Sequence, residues 1–209
     1  MNLDMLKDTD CSVLILSTPR TGSTALCAML SNKFNLIDYN EIFHIDAKNL
    51  DSFWNTFKNN TRVIFKIFPD QHTQFTEKEF QLLVDKSFVI FLERRDIANQ
   101  VISYHIASRT NKPWFKKNEI INNYIVDEEN IAVSVSNILK LRKEAEKYRK
   151  LADISLYYED IVNDIVNKQI QEYPKPDNYD SLKTKIDNML LKFLMLKQKY
   201  ERNEPTVVK

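Results

Sequence analysis

The chain has 209 residues, of which 43% are hydrophobic and 28% charged, enough for one α/β domain with a sizeable core. Its 30 basic and 29 acidic residues leave a net charge of +1. That balance excludes an overall basic field for nucleic acid or an anionic membrane, but permits a local anion site.

In chain order, the apolar run at 12–17 reads as a buried parallel strand and 23–33 as the helix that follows it at once. Residues 47–59 have helical spacing at Leu50, Phe53, Trp54 and Phe57. A second strand is predicted at 62–68, then a capping box, Thr76 to Glu79, opening a helix to about Asp85. A third strand covers 87–93, and Asp96 is placed to cap a helix reaching about Ser108. Residues 111–126 are polar-aromatic and irregular, with Pro113. An amphipathic helix is predicted from Asp127 to Lys150, a fourth strand at 153–157, and a helix near 159–171. After Pro174 and Pro176 a last amphipathic helix runs over about 179–201. Strands alternating with helices predict a parallel α/β sheet. The expected division is a domain at 1–173 with a helical extension at 174–209 packed on it.

Cys11 and Cys27 are too few for a disulfide scaffold and form no metal-ligand pattern, so both are expected to be buried free thiols in a reducing compartment. The opening MNLDMLKDTD lacks an apolar signal core, and the longest apolar runs, VLIL and FVIFL, are too short for a bilayer. A cytoplasmic protein without membrane contact is expected.

The chain holds a single glycine, Gly22, where average usage would give about fifteen. It lies in SVLILSTPRTGSTAL, between the first strand and the first helix. Ligands of open α/β sheets bind at the carboxyl ends of strands, and a tight turn into a helix N-terminus there is an anion site. Glycine allows a positive φ and close approach of a phosphate. Arg20 supplies a planar fork, and Thr21, Ser23 and Thr24 add hydroxyls. The bland reading is a strand-to-helix turn with Ser23 and Thr24 as caps. An ATP-binding Walker loop would need a first glycine and a lysine that are missing. At the end of the third strand, in ERRDIANQVIS, Arg95 and Ser103 could clamp a second phosphate. The plainer alternative is a surface arginine pair and a solvated serine.

Together these stretches resemble sulfotransferases that use 3′-phosphoadenosine 5′-phosphosulfate (PAPS). STPRTGSTAL resembles their 5′-phosphosulfate loop and FLERRDIANQVISYHIASRTNKPW their 3′-phosphate segment, most like the bacterial trehalose 2-sulfotransferase branch. LYYEDI resembles a late Y-E-D-L element, so the resemblance spans about residues 11–163. It implies a P-loop-like three-layer sandwich with a central parallel sheet flanked by helices. It also implies that Arg20, Thr21, Gly22, Ser23, Thr24 and Ala25 hold the 5′-phosphosulfate, that Arg95 and Ser103 hold the 3′-phosphate, and that no metal is needed.

Sulfuryl transfer to a hydroxyl calls for a general base. Asn40-Glu41-Ile42-Phe43 resembles the E-Y-F element whose glutamate is the base in the trehalose-type branch, with Ile42 in place of the tyrosine. Glu41 is therefore the expected base and His44 the reserve. Lys66, inside the apolar VIFKIF, either snorkels at an edge or faces the site, where the family's lysine reaches the bridging oxygen or the acceptor. The cytosolic small-molecule branch has its histidine base two residues after a lysine, a position held here by Phe68. Trp114, with Phe115 and Tyr124, could stack on a sugar or on adenine, or pack under the insert. His105 and Tyr148 read better as structural residues.

The expected activity is sulfuryl transfer from PAPS to a carbohydrate or other small metabolite. The alternatives are an ATP-dependent phosphotransferase with a degenerate P-loop, with Asp96 near Mg²⁺, and a non-catalytic nucleotide-binding module. The tail at 179–201 and the 111–126 insert are candidate contact surfaces for a homodimer.

Overall fold

The computed structural model describes residue 6 and residues 10–44, 49–59, 61–110, 130–166 and 178–203. They divide into two compact units: residues 1–95 with 138–172, and residues 96–137 with 173–209.

The first unit is built on a five-stranded sheet in the order β2-β3-β1-β4-β5. Its strands are β1 (Ser12–Ser17), β2 (Ile37–Asn40), β3 (Val63–Ile67), β4 (Ser87–Glu93) and β5 (Ile154–Tyr157), and every pairing is parallel. β1, β3 and the middle of β4 are buried on both faces, which is why they read as continuous apolar runs rather than alternating ones. Successive side chains of β1 enter opposite cores. Val13 and Ile15 pack with Leu26, Leu30 and Phe34 of α1 (Ser23–Phe34) and with Ile161 of α6 (Tyr158–Val166). Leu14 and Leu16 pack with Phe53 and Phe57 of α2 (Leu50–Lys58), Phe80 and Leu83 of α3 (Glu77–Asp85), and Ala145 near the end of α5 (Ile131–Glu146). Helices thus cover both faces of the sheet, as a three-layer α/β sandwich requires.

The chain runs from β1 to one side of the sheet and, after β3, crosses to β4 on the other. The carboxyl ends of β1, β3 and β4 therefore flank a topological switch point, where open α/β sheets bind ligands.

The second unit contains α4 (Ile97–Thr110), the start of α5 and α7 (Tyr179–Asn203). Asp96 caps α4 as expected, accepting the Asn99 N–H at 2.9 Å, and Lys183 of α7 donates to the same carboxylate at 3.0 Å. Among the described residues, no helix is long and apolar enough to cross a membrane.

Element boundaries differ from the sequence reading in instructive places. The Thr76–Glu79 capping box is formed, with Thr76 N–H donating to the Glu79 carboxylate at 2.7 Å. The helix expected over 127–150 is described from Ile131 and ends at Glu146, a 3₁₀ turn following at Arg149–Leu151. β2 is an edge strand that the sequence reading missed. It is four residues long, leaves Ile37 exposed and carries Asp38 and Asn40, poor strand formers.

Candidate active site

The turn between β1 and α1 is closed by its own residues. Thr21, fully buried, donates its hydroxyl to the Thr18 carbonyl at 3.0 Å. Arg20 and Gly22 both take the left-handed conformation, with φ of 66° and 83°. Gly22 is the N-cap of α1 and has no side chain to cap it, no acid stands in the first turn, and the first helical bond runs from Leu26 N–H to Gly22 O at 3.0 Å. The positive end of the helix dipole is therefore offered to an external anion. The Thr21 hydroxyl proton is already used inside the turn, so Thr21 serves here by shaping the loop. Ser23 and Ala25 are buried in the first helical turn, with Thr24 half-buried between them.

Lys66 is two residues past Ile64 on β3, and Ile64 belongs to the core on the α1 face. The period of two turns Lys66 to that same face, toward the start of α1. Its ammonium, almost fully buried, donates to Thr24 Oγ1 at 2.5 Å and lies 3.3 Å from Glu41 Oε2. A Walker loop carries its lysine within its own sequence, whereas here a lysine amine reaches the start of α1 from the neighbouring strand. Glu41 follows β2, its carboxylate 29% exposed, and its second oxygen accepts Gln71 Nε2–H at 2.9 Å. Three residues singled out from different parts of the sequence, Thr24, Glu41 and Lys66, thus form one connected group. Ile42 is buried beside Glu41 and belongs to the apolar core.

Two neighbouring carboxyls belong to exposed residues and are only partly desolvated. Partial desolvation raises Asp38 above its ordinary range, against the pull of the Asn40 N–H and Lys66. Partial desolvation also raises Asp70, and the negative charge of Glu41 adds to the effect. Burial pushes the Cys27 thiol far up, so it is an inert core group, as expected of it.

The third sequence element docks on the first two. The ring of Tyr158, at the start of α6, lies against Gly22. The Arg94 guanidinium stacks on that ring 4.9 Å from its centroid and donates to the Arg20 carbonyl at 3.2 Å. Arg142 in turn donates to the Arg94 carbonyl at 2.9 Å. Arg95 is held differently. It lies 4.0 Å over Tyr157, its N–H donates to Glu159 at 3.0 Å, and its guanidinium makes a fork to Asp160 at 2.5 and 2.8 Å. Asp160 raises the Arg95 pKa, and Arg95 lowers that of Asp160.

Ser103 is buried on α4 in the second unit. His44 is exposed, one turn past Glu41, its N–H donating to the Glu41 carbonyl at 3.2 Å. His105 is buried and bonded to Ser134 at 2.9 Å, and Tyr148 is buried in the core of the first unit, both structural as read from the sequence. Trp114, Phe115 and Tyr124 lie outside the described residues. Among those described, no cluster of three or more His, Cys, Asp or Glu could hold a metal.

Sequence reasoning missed Gln71, Arg94, Tyr158 and Asp160. Gln71 follows Pro69 in a stretch with no motif of its own. Arg94 and the Y-E-D side chains sat in recognised segments, but the contacts of Arg94 and Tyr158 with the loop, and of Asp160 with Arg95, span more than 60 residues of chain.

No family profile matches the chain, and no curated protein matches it. Among solved structures, it is similar to a crystal structure of the mouse sulfotransferase SULT7A1 complexed with PAP, the desulfated form of PAPS. The TM-score is 0.45 at 14% identity, and the alignment covers 88% of this chain and 65% of that one.

Proposed function

We propose that this protein transfers a sulfuryl group from PAPS to a hydroxyl of a carbohydrate or other small metabolite, releasing PAP. The observation that carries the reading is the group formed by Thr24, Lys66 and Glu41 at the uncapped start of α1. It sets an anion cradle, a buried ammonium and a carboxylate side by side.

In this reading the first-turn N–H groups of α1 and the Arg20 guanidinium bind the 5′-phosphosulfate. Glu41 takes the proton of the acceptor hydroxyl as its oxygen bonds to sulfur. The bond from sulfur to the bridging oxygen breaks, and the electron pair leaves with PAP. Lys66 and the helix dipole neutralise the charge that develops on the departing phosphate. Arg95 is the group available for the 3′-phosphate, its fork passing from Asp160 to the ligand. Arginine, lysine and backbone donors supply the positive charge, so the reading requires no metal.

Calorimetric titration with PAP, with ADP as the control and without metal, tests it. Tight PAP and weak ADP binding support the reading, and transfer from PAPS to acceptor hydroxyls would establish it. Equal binding of the two, or turnover of ATP that requires Mg²⁺, would replace it with phosphoryl transfer.

A further inference from the structure

The geometry points to Gln71 as the positioning residue that orients the Glu41 carboxylate, an inference that rests on the reading of Glu41 as the base. Gln71 is 6% exposed and lies in a 3₁₀ turn, Pro69–Gln74, immediately after β3. Its Oε1 accepts the Phe68 N–H at 3.0 Å, reaching back over the start of the turn as an N3 glutamine does in a capping box. A backbone N–H can only donate, so the amide orientation is fixed: oxygen toward Phe68, nitrogen toward Glu41. The Nε2–H then donates to Glu41 Oε1 at 2.9 Å, while Oε2 faces Lys66 at 3.3 Å.

Each carboxylate oxygen therefore faces its own donor. Gln71 also fixes which oxygen remains near the ammonium. Other charged groups around Glu41 act in both directions. Lys66 sets the opposite charge 3.3 Å away, Asp70 from the same turn interacts with the Glu41 charge, and His44 lies within electrostatic reach of Asp70. Cys27 is held neutral by burial.

Two variants test this. Gln71→Met removes both hydrogen bonds. Gln71→Glu keeps an acceptor for Phe68 N–H but sets a second carboxyl against Glu41. Removing a donor to the ionised form raises its pKa, so the base form appears only at higher pH. The acid limb of the kcat profile should move up by about one unit in Gln71→Met, making the rate below the limb about tenfold lower. In Gln71→Glu two carboxyls share a proton and the limb should move further. PAP affinity should stay at the wild-type value in both. A wild-type limb in both variants overturns the assignment. So does a loss of PAP binding in parallel with kcat, because Gln71 would then merely support the loop. If Glu41→Gln retains full rate, the base reading itself has failed. Titration of the Glu41 carboxyl by carbon-13 NMR in the resting protein still reads the Gln71 contact. An upward shift in both Gln71 variants upholds the contact, and an unmoved titration refutes it.

Discussion

The Tyr158 ring lies so close to Gly22 that a Cβ placed on the glycine would come within 2.4 Å of Cδ2. With a φ of 83°, Gly22 meets two independent demands, one of the backbone and one of packing. The two can be separated. Gly22→Ala should weaken PAP binding at least tenfold and lower stability, with about 1–2 kcal/mol from the left-handed conformation alone. Adding Tyr158→Ala removes the collision but not the conformational cost. Thermal unfolding and PAP titration of the double variant should therefore show partial recovery. Full recovery would mean that sterics alone fix the glycine, and none would mean that the backbone does.

The proton-transfer role is tested at Glu41. Glu41→Gln keeps a similar shape and an oxygen for Lys66, removes the basic site and the negative charge, and turns its amide nitrogen toward the Gln71 donor. PAP affinity should hold while kcat falls by about 10²–10⁴-fold, the usual worth of a positioned base. Glu41→Ala is a harsher change, because it strands the Lys66 ammonium, which is 3% exposed. Its stability cost should be on the order of 1–3 kcal/mol, below that of a fully enclosed pair since Glu41 is 29% exposed. Denaturant unfolding of the two variants side by side checks that order.

How much of this was legible beforehand depended on the range of each interaction. β1, β3 and β4 announced themselves because a strand buried on both faces is apolar throughout. The capping box of α3 was legible because both partners lie within one turn. Gly22 stood out by scarcity, and Lys66 by charge in an apolar run. The sequence could not show that Lys66 reaches Thr24, because that requires the pairing of β3 beside β1, which puts Lys66 opposite Ile15. β2 escaped because an exposed edge strand needs no apolar pattern. Gln71 escaped because an amide carries no signal until a backbone N–H fixes which end faces which partner.

The fork between Arg95 and Asp160 sets up a competition. A 3′-phosphate bound by Arg95 must displace a carboxylate that already satisfies the guanidinium in bidentate fashion. Asp160→Asn should therefore tighten PAP binding severalfold, and Arg95→Ala should weaken it, both measured by calorimetry at one fixed salt concentration. Arg95 holds Asp160 below its ordinary range, so the pair stays charged from about pH 5 to 8 and mild acidification will not imitate the asparagine. Unchanged affinity in both variants would remove Arg95 from the nucleotide site.

Asp38 gives a prediction about stability rather than binding. Asp38 is an exposed residue, but partial desolvation raises its pKa above the ordinary 3.8, so the folded state holds the proton somewhat more tightly than the unfolded chain does, an effect that solvent screening keeps small. The sign follows from linkage: where the folded state binds more protons, stability falls as pH rises. The cost is absent below about pH 3.8, where both states are protonated, grows as pH passes through the folded value, and is complete above it. Asp38→Asn keeps the acceptor for the Asn40 N–H, bonded at 2.7 Å, and removes the charge. Its melting temperature should exceed that of the wild type at neutral pH, with the two curves converging near pH 3. A variant less stable at neutral pH would mean that the attraction of Asp38 to Lys66 outweighs its partial desolvation, and that Asp38 belongs to the charge balance of the site.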